Sequence, residues 1–238
     1  MSNPIPLPTP RRWWPRFTLR MLLALITLLA ISLGWWTHRA REQRRVVEMI
    51  EASGGMACYE SDGPAPAYEP GSFKGWLVEK MGRDYFEEIV AAYLHDRKLL
   101  RNLAIFPGLR QLHVYDPHLK DEDLAVVGRC RELRVLYVSE GEFGGDVVSN
   151  TQLGDKSLHV IAKLDKLEVV ELHGIDFSRA GIEALATAPS LRTLVIGLCD
   201  ASVEARDFDK LKRLGRIKSL QAWRATDSPS GVEEIARW

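Results

Sequence analysis

The chain has 238 residues, 46% apolar and 27% charged, ample for one globular domain with an accessory segment. Its 32 basic and 32 acidic residues cancel, which excludes the basic excess that phosphate backbones demand and argues against nucleic acid as a partner. Three cysteines, Cys58, Cys130 and Cys199, are odd in number, widely spaced and without a CxxC, so neither a disulfide framework nor a zinc site is expected.

Residues 1–16, MSNPIPLPTPRRWWPR, alternate proline with small or apolar residues and then turn basic, which favours an extended, unpaired tail. A transmembrane helix is expected over residues 17–36, within FTLRMLLALITLLAISLGWW, because residues 21–36 carry no charge. The step from Trp14 to Trp35 spans roughly 31 Å as a helix, about the thickness of a bilayer's hydrocarbon core. Trp13/Trp14 and Trp35/Trp36 sit where interfacial aromatic belts belong, and Arg16 and Arg20 can reach back to the headgroups. A cleaved signal peptide is disfavoured because no AxA site follows the apolar run. Arginines flank both ends almost equally, and the short basic tail tips the expected orientation toward a cytoplasmic amino terminus with the remaining chain extracytoplasmic.

Residues 37–55 read as a charged juxtamembrane helix with Val46, Val47 and Ile50 on one side, stopped by Gly54 and Gly55. It is expected to continue the anchor into the headgroup layer. Residues 56–88 form a linker and amino-terminal cap: GMACYES as a short strand, a proline and glycine loop at 61–75, then large apolar residues, Trp76, Leu77, Met81, Tyr85 and Phe86, continuing to Ile89, to cover an open end. Asp84, Glu87 and Glu88 read as first-turn acids that complement a helix dipole, and so do Asp121, Glu122 and Asp123.

From residue 89 to 238 one phrase recurs. Leu167, Val170, Leu172 is repeated 24 residues later as Leu191, Leu194, Ile196, and outward from these as Leu133/Leu136/Val138, Leu109/Leu112/Val114, Ile217/Leu220/Ala222 and, more weakly, Ile89/Ala92/Leu94. A second apolar pair precedes the last five phrases by nine and six residues: Leu100/Leu103, Leu124/Val127, Leu158/Ile161, Ile182/Leu185 and Phe208/Leu211. Two signals locked in phase predict an α/β solenoid of short units, each a strand and a helical return, with a parallel sheet on its concave face. Val232 and Ile235 have the spacing of a sixth helical pair, and that helix is expected to protect the last strand's edge.

These phrases resemble the leucine-rich repeat, LxxLxL followed by Asn or Cys three positions on, over residues 89 to 236. The Asn/Cys position holds Pro117, Gly141, Ile175, Cys199 and Ala225, so only Cys199 fits, and irregular turns with backbone groups paired by other means are expected. The 34-residue step from Leu133 to Leu167 carries an insertion at residues 140–150, EGEFGGDVVSN, either a contact loop or a tolerated surface loop. The front section, RFTLRMLLALITLL then LGWW and a charged helix, is similar to the start of many uncharacterised bacterial membrane-anchored proteins with leucine-rich repeats, a group with no agreed activity.

In a period-2 strand the residues between the apolar ones face outward. The fifth and seventh phrase positions are Tyr93 and His95, His113 and Tyr115, Tyr137 and Ser139, Glu171 and His173, Val195 and Gly197, Gln221 and Trp223; second positions add Arg110, Arg134, Glu168, Arg192 and Lys218. Aromatic residues with arginine mark recognition surfaces, so the concave face, and Tyr93, His95, Arg110, His113, Tyr115, Arg134, Tyr137, Glu171, His173, Arg192, Gln221 and Trp223 above all, is the expected partner site. No GxSxG, HExxH or phosphate-binding glycine loop occurs, and His95, His113 and His173 lack an accompanying metal-ligand spacing. The expected function is therefore non-enzymatic protein binding without a cofactor; sugar rings stacked on Tyr93, Tyr115, Tyr137 and Trp223 are the alternative, and a hydrolase is the least supported.

Overall fold

The computed structural model describes residues 19–62, 72–139, 153–175, 177–199, 203–225 and 232–237. The expected tail at 1–16 and the insertion at 140–150 lie outside the described residues. The chain divides into two compact units, residues 1–39 and 40–238.

The first described element, α1 (Leu19–Ala52), runs for 34 residues. Among the described residues it is the one helix long and apolar enough to cross a membrane. Its apolar side chains from Leu22 to Leu33 are exposed. Thr27, Ser32 and Thr37 donate their hydroxyls to the helix's own carbonyls at Leu23, Leu29 and Gly34, at 2.9, 3.0 and 3.0 Å. The polar side chains thus find partners without water, as a hydrocarbon surrounding requires. The Arg39 guanidinium lies over the Trp35 ring, 5.9 Å from its centroid.

In the second unit, the last part of α1 buries Ala40, Gln43, Val46, Val47 and Ile50. Gly54 takes φ +82° just beyond the helix, and the Gly55 N–H donates to the Ile50 carbonyl at 2.9 Å. A left-handed residue without a Cβ ends the helix at little cost. Val46, Val47 and Ile50 join the same core as Ile89 and Leu94, so this segment contributes apolar cover of the kind expected of residues 76–89. The helix that was to be the cap, α2 (Phe73–Met81), buries none of its residues.

Eight strands form one sheet in chain order: β1 (Met56–Tyr59), β2 (Ile89–Leu94), β3 (Gln111–Tyr115), β4 (Val135–Ser139), β5 (Val169–His173), β6 (Thr193–Cys199), β7 (Ser219–Ala225) and β8 (Val232–Arg237). From β2 to β7 each strand pairs parallel with the next, and the last two residues of each phrase fall on one strand. The outer two correct the expectation of a wholly parallel sheet, since β1 and β8 run antiparallel to β2 and β7. Val232 and Ile235 accordingly sit on a strand, not a helix. Their three-residue spacing suits either state, and an unpaired β7 edge would leave a row of N–H and C=O groups that a returning strand satisfies.

The connections between the parallel strands hold short helices: a 3-10 segment (Arg97–Ile105), α3 (Asp121–Leu124), α4 (Asp155–Ile161), α5 (Arg179–Leu185) and α6 (Asp209–Arg213). Leu100/Leu103, Leu124/Val127, Leu158/Ile161, Ile182/Leu185 and Phe208/Leu211 from this layer meet Leu112/Val114, Leu136/Val138, Val170/Leu172, Leu194/Ile196 and Leu220/Ala222 from the strands, all within 1% of fully buried. Each buried leucine contributes roughly 1.5–3 kcal/mol, which no single unit could collect alone.

Candidate functional site: the outward face of the sheet

Alternation on each strand turns one residue in two away from the core. Parallel pairing without a register shift from β2 to β5 lines those residues up: Tyr93 opposite His113, His113 opposite Tyr137, Tyr137 opposite Glu171, and onward to Val195 and Gln221. A second row sets Tyr115 opposite Ser139 and His173 opposite Gly197.

Strand spacing of about 4.8 Å is close to ring-stacking distance, so rings on adjacent strands meet face to face. Tyr93 stacks on His113 with centroids 4.4 Å apart, and His113 on Tyr137 at 5.4 Å. His95, one residue past β2, stacks on Tyr115 at 5.3 Å. Tyr115 meets Tyr137 at 5.4 Å, and Tyr137 meets His173 at 5.7 Å, both tilted. Six rings thus form one cluster over β2 to β5.

The cluster closes on a carboxylate and a glycine. His173 Nε2 lies 3.0 Å from Glu171 Oε1. A Cβ on Gly197 would stand 2.6 Å from His173 Nδ1, so the imidazole rests where any other residue's side chain would begin. Burial pushes the His113 imidazole below its ordinary value, and Glu171 opposes that shift with its negative charge. Among the described residues the shielded His113 Nδ1 has no hydrogen-bond partner.

The expected site residues do not all converge. Arg110, Arg134, Glu168, Arg192 and Lys218 lie at the strand starts, each donating its backbone N–H to the preceding unit at 2.7–2.8 Å. Arg134 Nη1 pairs with Glu168 Oε1 at 3.3 Å. Gln221 and Trp223 stand on β7, separated from the rings by Val195 and Gly197 of β6. Trp223 faces Glu234 of the returning β8 in register.

Asp84 stands in the first turn of a 3-10 segment (Arg83–Tyr85), as expected, whereas Glu87 lies beyond it, and both carboxylates have partners outside that turn. Glu87 is buried, bonded to Ser61, 3.4 Å from Arg83 Nη2, and its carbonyl accepts from Gln43 Nε2 at 2.9 Å. Asp84 accepts from the Tyr59 hydroxyl at 2.7 Å, while Arg83 lies over the Tyr59 ring, 4.2 Å from its centroid. Burial and then the bond to Asp84 push the Tyr59 phenol up; burial would raise the Asp62 carboxyl, but bonds from Arg83 and the Tyr59 N–H hold it low. A carboxylate taken from water needs such partners, so this network fastens β1 and its following turn to the start of β2.

Asp121 likewise acts beyond its own turn, accepting from the Gly154 and Ser157 N–H groups at 3.0 and 3.2 Å and from the Ser157 hydroxyl. Asp155 repeats this toward Ser178, at 2.9 Å to the N–H and 2.7 Å to the hydroxyl. Each aspartate thus caps the helix of the next unit. The sequence signal was an Asp three residues before Leu124 and again before Leu158. Among the described residues no group of three His, Cys, Asp or Glu is arranged to hold a metal ion. No protein-family model matches this sequence, and no curated protein matches it.

Proposed function

We propose that the chain is a single-pass, membrane-anchored leucine-rich-repeat solenoid that binds a protein partner through the concave, outward face of its strands and performs no catalysis. The observation that carries this reading is the continuous ring cluster from Tyr93 to His173 across four strands, tied to Glu171. A prearranged cluster of this kind lowers the ordering cost of association, and tyrosine hydroxyls beside imidazoles suit the polar groups of a protein surface. The apolar stretch of α1 supports the anchor, which would confine the partner to the membrane surface with the repeats extracytoplasmic.

The ring packing weighs against the carbohydrate alternative. A sugar needs an open ring face, and of the four rings that alternative names, Tyr115 already stacks on His95 and Tyr137 already meets His113, Tyr115 and His173. A photo-crosslinking amino acid placed at Tyr137, with the same group at exposed Lys156 as control, tests the reading in cells. One discrete protein adduct specific to Tyr137 is the expected result; equal labelling from both positions overturns it.

A further inference from the structure

The helix α2 (Phe73–Met81), expected to cover core, instead leaves Phe73, Trp76 and Met81 in the open and Leu77 half-buried. Phe73 is 75% exposed, Trp76 51% and Met81 40%, and the Phe73 and Trp76 rings stack on each other with centroids 5.9 Å apart. Phe73, Trp76, Leu77 and Met81 recur at i, i+3, i+4 and i+8, the spacing that brings residues to one side of a helix. Both ends of the helix are capped. The Ser72 hydroxyl oxygen accepts from the Gly75 N–H at 3.1 Å, and the Gly82 N–H donates to the Val78 carbonyl at 2.8 Å. An exposed, self-capped helix with an aromatic pair on one side marks a contact surface.

We infer that α2 seats Phe73, Trp76 and Leu77 in the headgroup region of a lipid bilayer, as a second, peripheral membrane contact. This rests on the membrane-anchored reading of α1. Tryptophan and phenylalanine are the residues that favour this layer, where an apolar face enters about 5–10 Å into the headgroup and acyl boundary. Lys80 stands beside the apolar residues with a long stem that lets an ammonium group reach phosphate oxygens. One short helix binds a bilayer weakly by itself. Joined to a membrane-crossing segment in the same chain, its insertion becomes intramolecular, and weak affinity suffices.

The test uses the full chain in phosphatidylcholine nanodiscs, with an environment-sensitive fluorescent amino acid at Leu77, at Leu28 in the apolar part of α1, or at exposed Lys156. Lipids brominated near the headgroup end of their chains serve as the quencher for Leu77 and Lys156, and lipids brominated near the chain ends as the quencher for Leu28. The expected result is emission at Leu77 reduced about twofold or more by the brominated lipid, unchanged emission at Lys156, and recovery in the Phe73→Ser, Trp76→Ser double variant. Quenching at Leu28 with none at Leu77 overturns this inference and leaves the anchor standing. A Leu77 probe shielded from water yet unquenched overturns it in favour of a protein or a second copy. Absence of quenching at both Leu28 and Leu77 overturns the anchor as well.

Discussion

The two halves of the parallel sheet are the same inside and different outside. On β3 to β5 the buried rows are Leu112/Val114, Leu136/Val138 and Val170/Leu172, and on β6 and β7 they continue as Leu194/Ile196 and Leu220/Ala222. Outward, the first half carries stacked tyrosines and histidines, whereas β6 offers Thr193, Val195 and Gly197. The core is therefore indifferent to what stands on the open face. A strand that folds equally well behind Val195 as behind Tyr137 does not need the rings for its place, and so the rings invite an explanation from binding.

The sharpest way to break this comparison is to truncate the shared core in each half. Leu136→Ala and Leu194→Ala both remove a fully buried side chain. Each should lower unfolding free energy by about 2–5 kcal/mol, read from urea denaturation, and by similar amounts. A much larger loss at Leu136 would show that the ringed half depends on its open face after all. Next in size are the aspartates that join successive helices. Asp121→Ala strands the Gly154 and Ser157 donors, and Asp155→Ala strands Ser178. Each should cost about 1–3 kcal/mol in the same assay, while Glu122→Ala on the exposed side of α3 should cost little.

What the sequence makes legible follows from this division. Apolar residues that repeat in phase can be read directly, because each must meet the same neighbours in the next unit; hence β2 to β7 fall on their phrases. The ends are not in phase with anything. Val46, Val47 and Ile50 sit in a segment whose arginines suggest a membrane surface, and nothing local says that they bury against Ile89 and Leu94. Likewise the three-residue spacing of Val232 and Ile235 cannot tell a sixth return from a strand that closes an edge. Within the site, alternation identifies the outward residues, but the seat that Gly197 provides for His173 depends on an absent side chain one strand away. The role of Asp121 was hidden for the same reason, since its partners lie 33 and 36 residues further on.

A smaller effect separates the halves by their outward rows. Tyr137→Ala removes ring contacts to His113, Tyr115 and His173, each ring pair being worth about 0.5–1.5 kcal/mol beyond burial. It should lower stability by about 1.5 kcal/mol, the low end for three ring pairs on a half-exposed face, and abolish the Tyr137-dependent crosslinking target's association, whereas Val195→Ala should change association little. Equal loss from both would spread the binding surface over the whole sheet.

The smallest effect is a dependence on pH confined to the ringed half. His113 is packed between Tyr93 and Tyr137, beside Tyr115, with Glu171 the nearby charge. Burial depresses its folded-state pKa below the ordinary 6.5, and Glu171 only partly restores it. The unfolded chain therefore takes up a proton more readily than the folded one. Stability from this group is complete above about 6.5 and is lost as pH falls from there through the depressed folded value. Urea midpoints at pH 7.5 and 5.5 should differ less in His113→Phe, which keeps a ring in the stack but cannot titrate. Glu171→Gln acts in the opposite sense: it removes the charge that favours the imidazolium, depresses the folded value further and deepens the acid loss. A Glu171→Gln protein that became less sensitive to acid would mean that the carboxylate, not the buried imidazole, governs the titration of this face.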